Sequence, residues 1–161
     1  MAKEELSGRA PAVAFLLTQV GSYAARRFAE FLEPLGLAPH HAGILRVLDR
    51  SARLSQQDLA KMLGMHASRL VAVIDEMESR ELVAREGNEN DRRSYSLRVT
   101  AKGREALQAI ARVGKEHTES LLAPLQPQER AQLGQLLQRL ADAHGLQPGI
   151  HPGYASMGKR P

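Results

Sequence analysis

The chain has 161 residues, enough for one compact domain with its own core, and 43% of them are hydrophobic although only 4% are aromatic. The net charge of +4 is compatible with binding to nucleic acid or to an acidic surface. The absence of Cys excludes disulfides and thiolate chemistry, and the absence of a long apolar run and of a signal-peptide pattern predicts a cytoplasmic protein without a membrane partner.

Two helices are predicted in the first third of the chain. Residues 11–33 carry apolar side chains at steps of three and four, which indicates one long helix that ends before Pro34 and Gly36. A second helix is expected from Pro39 to about Ser51.

A short helix, a tight turn and another helix are predicted next. Ser55 and Asp58 form a Ser-x-x-Asp capping pattern that begins the short helix, which ends near Leu63. Gly64 suits the turn because glycine adopts a left-handed conformation without steric cost. Residues 66–80 form the following helix, and the two helices share an apolar core, namely Leu59, Ala60, Leu63, Leu70, Val73, Ile74 and Met77.

Residues 83–86 and 94–99 alternate between polar and apolar side chains, which predicts the two strands of a β-hairpin. The polar tip between them ends in Asp91, Arg92 and Arg93. The pattern therefore places two guanidinium groups next to a carboxylate on an exposed loop.

The last part of the chain is predicted to be helical and then irregular. Thr100 is the expected cap of a helix over residues 101–122, and Pro127 begins another helix that reaches about Ala143. From Gly145 onward Pro and Gly are dense. We expect this segment to rest on the folded body through Ile150, Tyr154 and Met157.

The order of these elements predicts a mainly α fold with a small β-hairpin wing, a winged helix-turn-helix with six helices. We divide the chain into an N-terminal dimerisation helix (1–38), a DNA-binding lobe (39–100), C-terminal dimerisation helices (101–144) and a Pro/Gly-rich tail (145–161). The helices at both ends of the chain carry apolar faces that would otherwise be exposed to solvent. This predicts an intertwined homodimer that buries them between the N- and C-terminal helices of two copies.

The pattern also predicts double-stranded DNA as a partner. The second helix of such a unit enters a major groove, and arginines of a wing suit a narrow minor groove. The residues that we expect to contact DNA are Gln56, His66, Ser68, Arg69, Ala72, Asp91, Arg92 and Arg93.

Three short motifs make residues 11–143 resemble the MarR family of transcriptional regulators. They are Arg80-Glu81-Leu82-Val83 before the wing, Asp91-x-Arg93 at its tip and Val99-Thr100-x-x-Gly103 at the next helix. The resemblance implies a homodimer on a pseudo-palindromic operator, usually a repressor, that small aromatic acids or phenols often release.

The sequence departs from the family pattern at two places. The family usually has Gly where Glu81 stands, which predicts a differently built turn into the wing. It often has Thr-Arg where Val71 and Ala72 stand, so more of the base recognition falls to Ser68, Arg69 and His66.

Two kinds of small ligand remain open. Tyr23, Arg27, His40 and His41 could line a pocket for a carboxylate or phenolate between the dimer helices and the DNA-binding lobe. Some family members sense zinc, and His40, His41 and His117 are the histidines that would serve such a site here. The lone histidine of the 101–122 helix makes a metal site the weaker reading, and we predict neither a metal nor a cofactor.

Other classes of function have less support. The chain has no phosphate-binding glycine loop, nucleophile elbow or His-Glu-x-x-His helix, so we do not expect an enzyme. A winged helix that binds another protein is a further alternative, and the arginines of the wing argue against it.

Overall fold

The computed structural model describes residues 2–51, 53–88, 91–151 and 153–154, with side chains described except at 1–11, 88 and 91–94. This part of the chain forms six α-helices, one 3₁₀ turn and a small antiparallel sheet, which confirms the predicted fold class. The elements are α1 (Ala2–Leu32), the 3₁₀ turn (Glu33–Leu35), α2 (Pro39–Arg50), β1 (Leu54–Ser55), α3 (Gln56–Leu63), α4 (Ala67–Ser79), β2 (Val83–Asn88), β3 (Asp91–Val99), α5 (Ala101–Leu122) and α6 (Pro127–Ala143).

The sheet has one strand more than the sequence predicts. Its order is β1-β3-β2, and β1 pairs with β3 through Leu54 opposite Leu97 and Ser55 opposite Ser96. The strands β2 and β3 form the predicted hairpin and extend further toward its tip than the alternation of side chains indicated. The added pairing fixes the start of α3 against the hairpin.

The first helix is longer than predicted, since it begins at Ala2 and includes Pro11 rather than starting there. The helices α2 to α6 end within about one or two residues of their predicted limits. Their caps explain this agreement: the Thr100 hydroxyl accepts the Gly103 N–H (3.0 Å), and Pro127 occupies the first turn of α6.

The core lies in the middle of the chain. Its fully buried side chains come from the last residue of α1, from α2, α3 and α4, from the hairpin and from one position of α5. The largest are Leu32, Ile44, Leu45, Leu59, Leu70, Ile74, Met77, Val83, Leu97 and Ile110. By contrast, α6 buries no residue, and much of α1 is exposed. None of the helices in the described ranges is both long and apolar enough to cross a membrane.

Candidate nucleic-acid interface

The turn between α3 and α4 is built as predicted. The Ser55 hydroxyl accepts the Asp58 N–H (3.1 Å) and donates to the Asp58 carboxylate (2.7 Å), which begins α3. Gly64 ends it with φ +63°, a left-handed conformation that suits glycine. Ala60 is buried at 5% exposure, as expected of a small side chain where two helices cross. The angle between α3 and α4 is therefore set by small residues and a shared core.

The helix α4 has two distinct faces. Leu70 and Ile74 are fully buried, and Val73 and Met77 are buried beside them. On the other side His66, Ser68, Arg69 and Ala72 are all exposed, at the N-terminal end of the helix. This exposed end is the part of such a helix that can reach base edges. The placement agrees with the predicted contacts, which themselves stay predictions.

Arg85 connects the hairpin to both helices. It lies on β2, and its guanidinium donates to Asp75 Oδ1 (2.5 Å) and to Glu78 on α4, and to Gln56 Oε1 (3.2 Å) at the start of α3. Its own N–H donates to Glu78 Oε1 (3.1 Å). Burial works to lower the pKa of Arg85, but hydrogen bonds to the two carboxylates outweigh it and raise the pKa, so the charge is retained.

The sequence does not predict this network. Gln56 is one of the residues predicted to contact DNA. In the structure it is half-buried, and its side-chain amide oxygen accepts a hydrogen bond from Arg85. Its sequence neighbours gave no indication of this role, because Arg85 is 29 residues away. We therefore regard Gln56 first as a support for the hairpin.

The predicted wing residues Asp91, Arg92 and Arg93 belong to β3, but their side chains lie outside the described residues. The described part of the hairpin holds an ion pair between Arg98 and Glu86, both about half-exposed. The wing contacts with DNA remain predictions.

A second polar junction joins α2 to the end of α4. The Ala38 N–H donates to His41 Nδ1 (3.0 Å), and His41 Nε2 lies 3.4 Å from Glu76 Oε1. Arg80 also approaches this carboxylate, at 3.3 Å, and donates to the Gly36 carbonyl oxygen (2.8 Å). Burial raises the pKa of Glu76, but His41 and Arg80 outweigh it and hold the pKa below its usual value.

The histidines of this junction are neutral near pH 7. Burial, reinforced by His41, lowers the pKa of His40 to about 4. Burial also lowers the pKa of His41, against the attraction of Glu76. Because His41 Nδ1 accepts a backbone N–H, its ring proton is on Nε2, which lies 3.4 Å from Glu76 Oε1 without forming a well-aligned hydrogen bond.

A cavity of about 570 Å³ lies between α1, α2 and the C-terminal segment. Phe28, His40 and Arg46 line it from the two helices. Of the four residues predicted to line a ligand pocket, His40 lines this cavity, and Arg27 lines a separate, smaller one of about 340 Å³. Tyr23 is exposed, Arg27 pairs with Glu30, and His41 is buried at the α2 cap.

Comparisons with known proteins identify the family. Residues 35–94 match the sequence model of the MarR family. A candidate transcriptional regulatory protein for the hcr operon of Thauera aromatica is 33% identical over 116 residues, which cover 71% of this chain and 70% of that protein. The chain belongs to the MarR family.

Two solved MarR-family structures extend this likeness to the fold. The transcriptional repressor CouR, bound to a 23-mer DNA duplex, is 28% identical, with a TM-score of 0.70 over 80% of this chain and 91% of that one. A single-site variant of E. coli MarR, in complex with operator DNA, is 25% identical, with a TM-score of 0.67 over 80% and 93%. The family confirms the prediction of a transcriptional regulator rather than an enzyme.

The turn into the wing contains Glu81, which has a left-handed backbone conformation. Glu81 stands where we expected the family to have glycine, and its φ of +61° is left-handed. The expectation of a differently built turn stays a prediction. Two contacts hold the strained residue: the Thr100 hydroxyl donates to its carbonyl oxygen (2.5 Å), and Lys102 pairs with its carboxylate (3.0 Å).

The metal alternative loses support at this point. Within the described residues, the ligand atoms of His40, His41 and Glu76 lie within 4.8 Å of one another. However, the His41 Nδ1 lone pair is used by the helix cap and Nε2 carries the proton, so His41 has no lone pair to offer. His117 does not belong to this cluster: its ring packs against Phe28 and Phe31, with ring centroids 5.5 and 5.9 Å apart.

Proposed function

We propose that this chain is a homodimeric transcriptional repressor that binds a pseudo-palindromic operator and is released by a small aromatic acid or phenol. The observation that carries the DNA-binding part is the two-faced α4, which buries Leu70 and Ile74 and exposes Ser68 and Arg69. The DNA complexes of CouR and E. coli MarR support the same use of the fold.

The exposed apolar surface supports a homodimer. Val13, Phe15, Leu16, Leu17 and Val20 of α1 are 44–62% exposed. On α6, three leucines are 43–47% exposed; they are Leu136, Leu137 and Leu140. Soluble monomers rarely expose so many large apolar side chains on two long helices, so a second copy is the expected cover.

Sedimentation equilibrium tests the dimer. Leu17→Lys should shift the protein toward monomer because it places a charge in the α1 interface. Met62→Lys on α3 is the matched control, since Met62 is 43% exposed and Leu17 is 44% exposed. A Leu17→Lys protein that stays as dimeric as the control contradicts the proposed interface.

Selection of bound fragments from random DNA tests operator recognition. A dimer with two recognition helices should enrich inverted half-sites centred about 10 bp apart. Failure to enrich any duplex would favour a protein-binding winged helix instead.

Gel shifts on the selected site then test the individual contacts. Arg69→Ala should cost roughly 1–3 kcal/mol and relax base preference. Arg92→Ala and Arg93→Ala should each weaken binding with little change in preference and lower the salt dependence by about one charge. Arg112→Ala is the control, because it removes an exposed charge from α5. Equal effects of Arg69→Ala and Arg112→Ala contradict a base contact.

The cavity between α1 and α2 supports the effector. Its volume of about 570 Å³ is in the usual range for small-molecule sites, and Phe28 offers an aromatic wall. Arg46 lines it and is half-buried, and among the described residues no carboxylate pairs with it. An organic anion would supply the missing partner.

Calorimetric titration with salicylate and 4-hydroxybenzoate tests this part. We expect at least one acid to bind and to weaken operator binding, and Arg46→Gln to reduce its affinity by about tenfold or more, since charged hydrogen bonds contribute about 1.5–3 kcal/mol. Arg112→Gln is the charge-matched control. If neither acid binds, or if Arg46→Gln binds as well as the control, this effector assignment is wrong.

A further inference from the structure

The C-terminal segment returns to the body of the protein and packs on α2. After α6 the chain turns at Gly145 and Gly149, both with positive φ (+63° and +75°), and reaches Tyr154, which is only 8% exposed. The Tyr154 hydroxyl donates to the carbonyl oxygen of Pro39 (3.0 Å), the first residue of α2. We call residues 147–154, apart from the undescribed Pro152, the strap.

Gly43 provides the space that the Tyr154 ring occupies. It lies inside α2, where glycine costs about 0.5–1 kcal/mol relative to alanine. A Cβ at this position would lie 2.7 Å from Tyr154 Cζ and 2.8 Å from Cε2, well inside van der Waals contact. The glycine therefore weakens the helix and at the same time allows the strap to dock.

The strap is also one wall of the cavity. Half of the residues that line the cavity belong to it, among them Ile150 and Tyr154. Ile150 packs against the core as well, so the wall has two anchors, as the sequence predicted; Met157, the third expected anchor, lies outside the described residues. A ligand in this cavity touches α2 on one side and the strap on the other.

We propose that the strap is a lid whose docking on α2 is linked to the binding of an aromatic acid in the cavity, a step that rests on the proposed effector function. Because the ligand contacts the lid only in its docked state, binding strengthens docking and docking strengthens binding by the same factor. The lid rests on α2, whose Ile44 and Leu45 are part of the core of the DNA-binding lobe. The regulation thus acts through α2.

Thermal unfolding of four full-length proteins tests whether the strap docks, without DNA or ligand. Gly43→Ala should lower the melting temperature of the wild type because its Cβ collides with the Tyr154 ring. In a Tyr154→Ala background the same change should raise the melting temperature, since only the helix preference for alanine remains.

Two controls accompany this cycle. Gly134→Ala on α6, where an added Cβ meets open space, should have the same sign in both backgrounds. Tyr154→Phe keeps the ring and loses only the hydrogen bond to Pro39, so Gly43→Ala should remain unfavourable with it. The same sign of the Gly43→Ala effect in wild type and Tyr154→Ala overturns the docked strap.

Calorimetry with salicylate and 4-hydroxybenzoate tests the linkage. Tyr154→Ala should lower the affinity of the protein for the acid by about tenfold, within the usual range of coupling. Equal affinity of wild type and Tyr154→Ala for a bound acid overturns the linkage. If neither acid binds the wild type, the proposed effector and the proposed linkage are both wrong. In that case the unfolding cycle still tests the docking of the strap, and the DNA assays still test the repressor function.

Discussion

Arg85→Ala should weaken operator binding even though the Arg85 side chain is turned toward the protein. The side chain is only 20% exposed and holds Asp75 and Glu78 of α4 and Gln56 of α3 against the hairpin. Alanine removes every one of these side-chain bonds. It also leaves two carboxylates without their cation beside the helix that we propose to enter the major groove.

The expected loss follows from the exposure of the partners. Hydrogen bonds to charged groups contribute about 1.5–3 kcal/mol each. Asp75 is 59% exposed and Glu78 is 39% exposed, so solvent screens both, and we expect about 2 kcal/mol for the whole network. A loss of about 2 kcal/mol corresponds to roughly thirtyfold in the equilibrium that holds the hairpin against α4.

Urea unfolding and gel shifts on the selected operator measure the two consequences. The matched control is Arg98→Ala, which removes the same charge from the neighbouring strand but breaks a pair that is about half-exposed on both sides. We expect that control to cost less than about 1 kcal/mol of stability. An Arg85→Ala protein that is as stable as the control, or that binds the operator with wild-type affinity, refutes the argument.

Three further predictions concern stability. Because the pKa values of His40 and His41 are lowered in the folded protein, the unfolded chain binds more protons than the folded one below about pH 6.5. The free energy of unfolding should therefore fall from about pH 6.5 toward pH 4. Urea unfolding at a series of pH values measures this fall, and His40→Gln should make it smaller. Gly103→Ala should destabilise the protein by about 1–3 kcal/mol in urea unfolding, because the added Cβ would lie 2.7 Å from Val99 Cγ1 and would overlap the Leu82 carbonyl oxygen. Gly134→Ala, the control, should be neutral or stabilising. Glu81→Gly should stabilise by up to about 1 kcal/mol by relieving the left-handed strain, whereas Glu81→Ala, measured in the same way, should bring no gain.

The local elements were predictable because their signals are local. Ser55, Gly64 and Thr100 mark helix ends through their own backbone and side-chain chemistry, and the structure confirms each of them. The strand β1 was missed because a pair of residues has no periodicity to detect. The apolar periodicity predicts a start of α1 near residue 11, whereas the helix begins at Ala2 and Pro11 lies within it.

The polar contacts between elements were not predictable in the same way. Arg85 meets Gln56 across 29 residues and Tyr154 meets Pro39 across 115, and neither pairing leaves a spacing pattern in the sequence. Tyr23 and Arg27 do not line the cavity beside α2, for a related reason. Helical periodicity tells which side chains share a face, but not which face another element covers.

The first turn of α2 connects the cavity with α4, the proposed recognition helix. The carbonyl oxygen of Pro39 accepts a hydrogen bond from the Tyr154 hydroxyl of the strap. In the same turn, His41 caps α2 and lies 3.4 Å from Glu76 on α4. Arg80, at the end of α4, holds both Glu76 and the Gly36 carbonyl oxygen beyond α1. Because the core around these contacts is closely packed, we expect a ligand that moves this turn to disturb the His41–Glu76 contact and, through it, the position of α4.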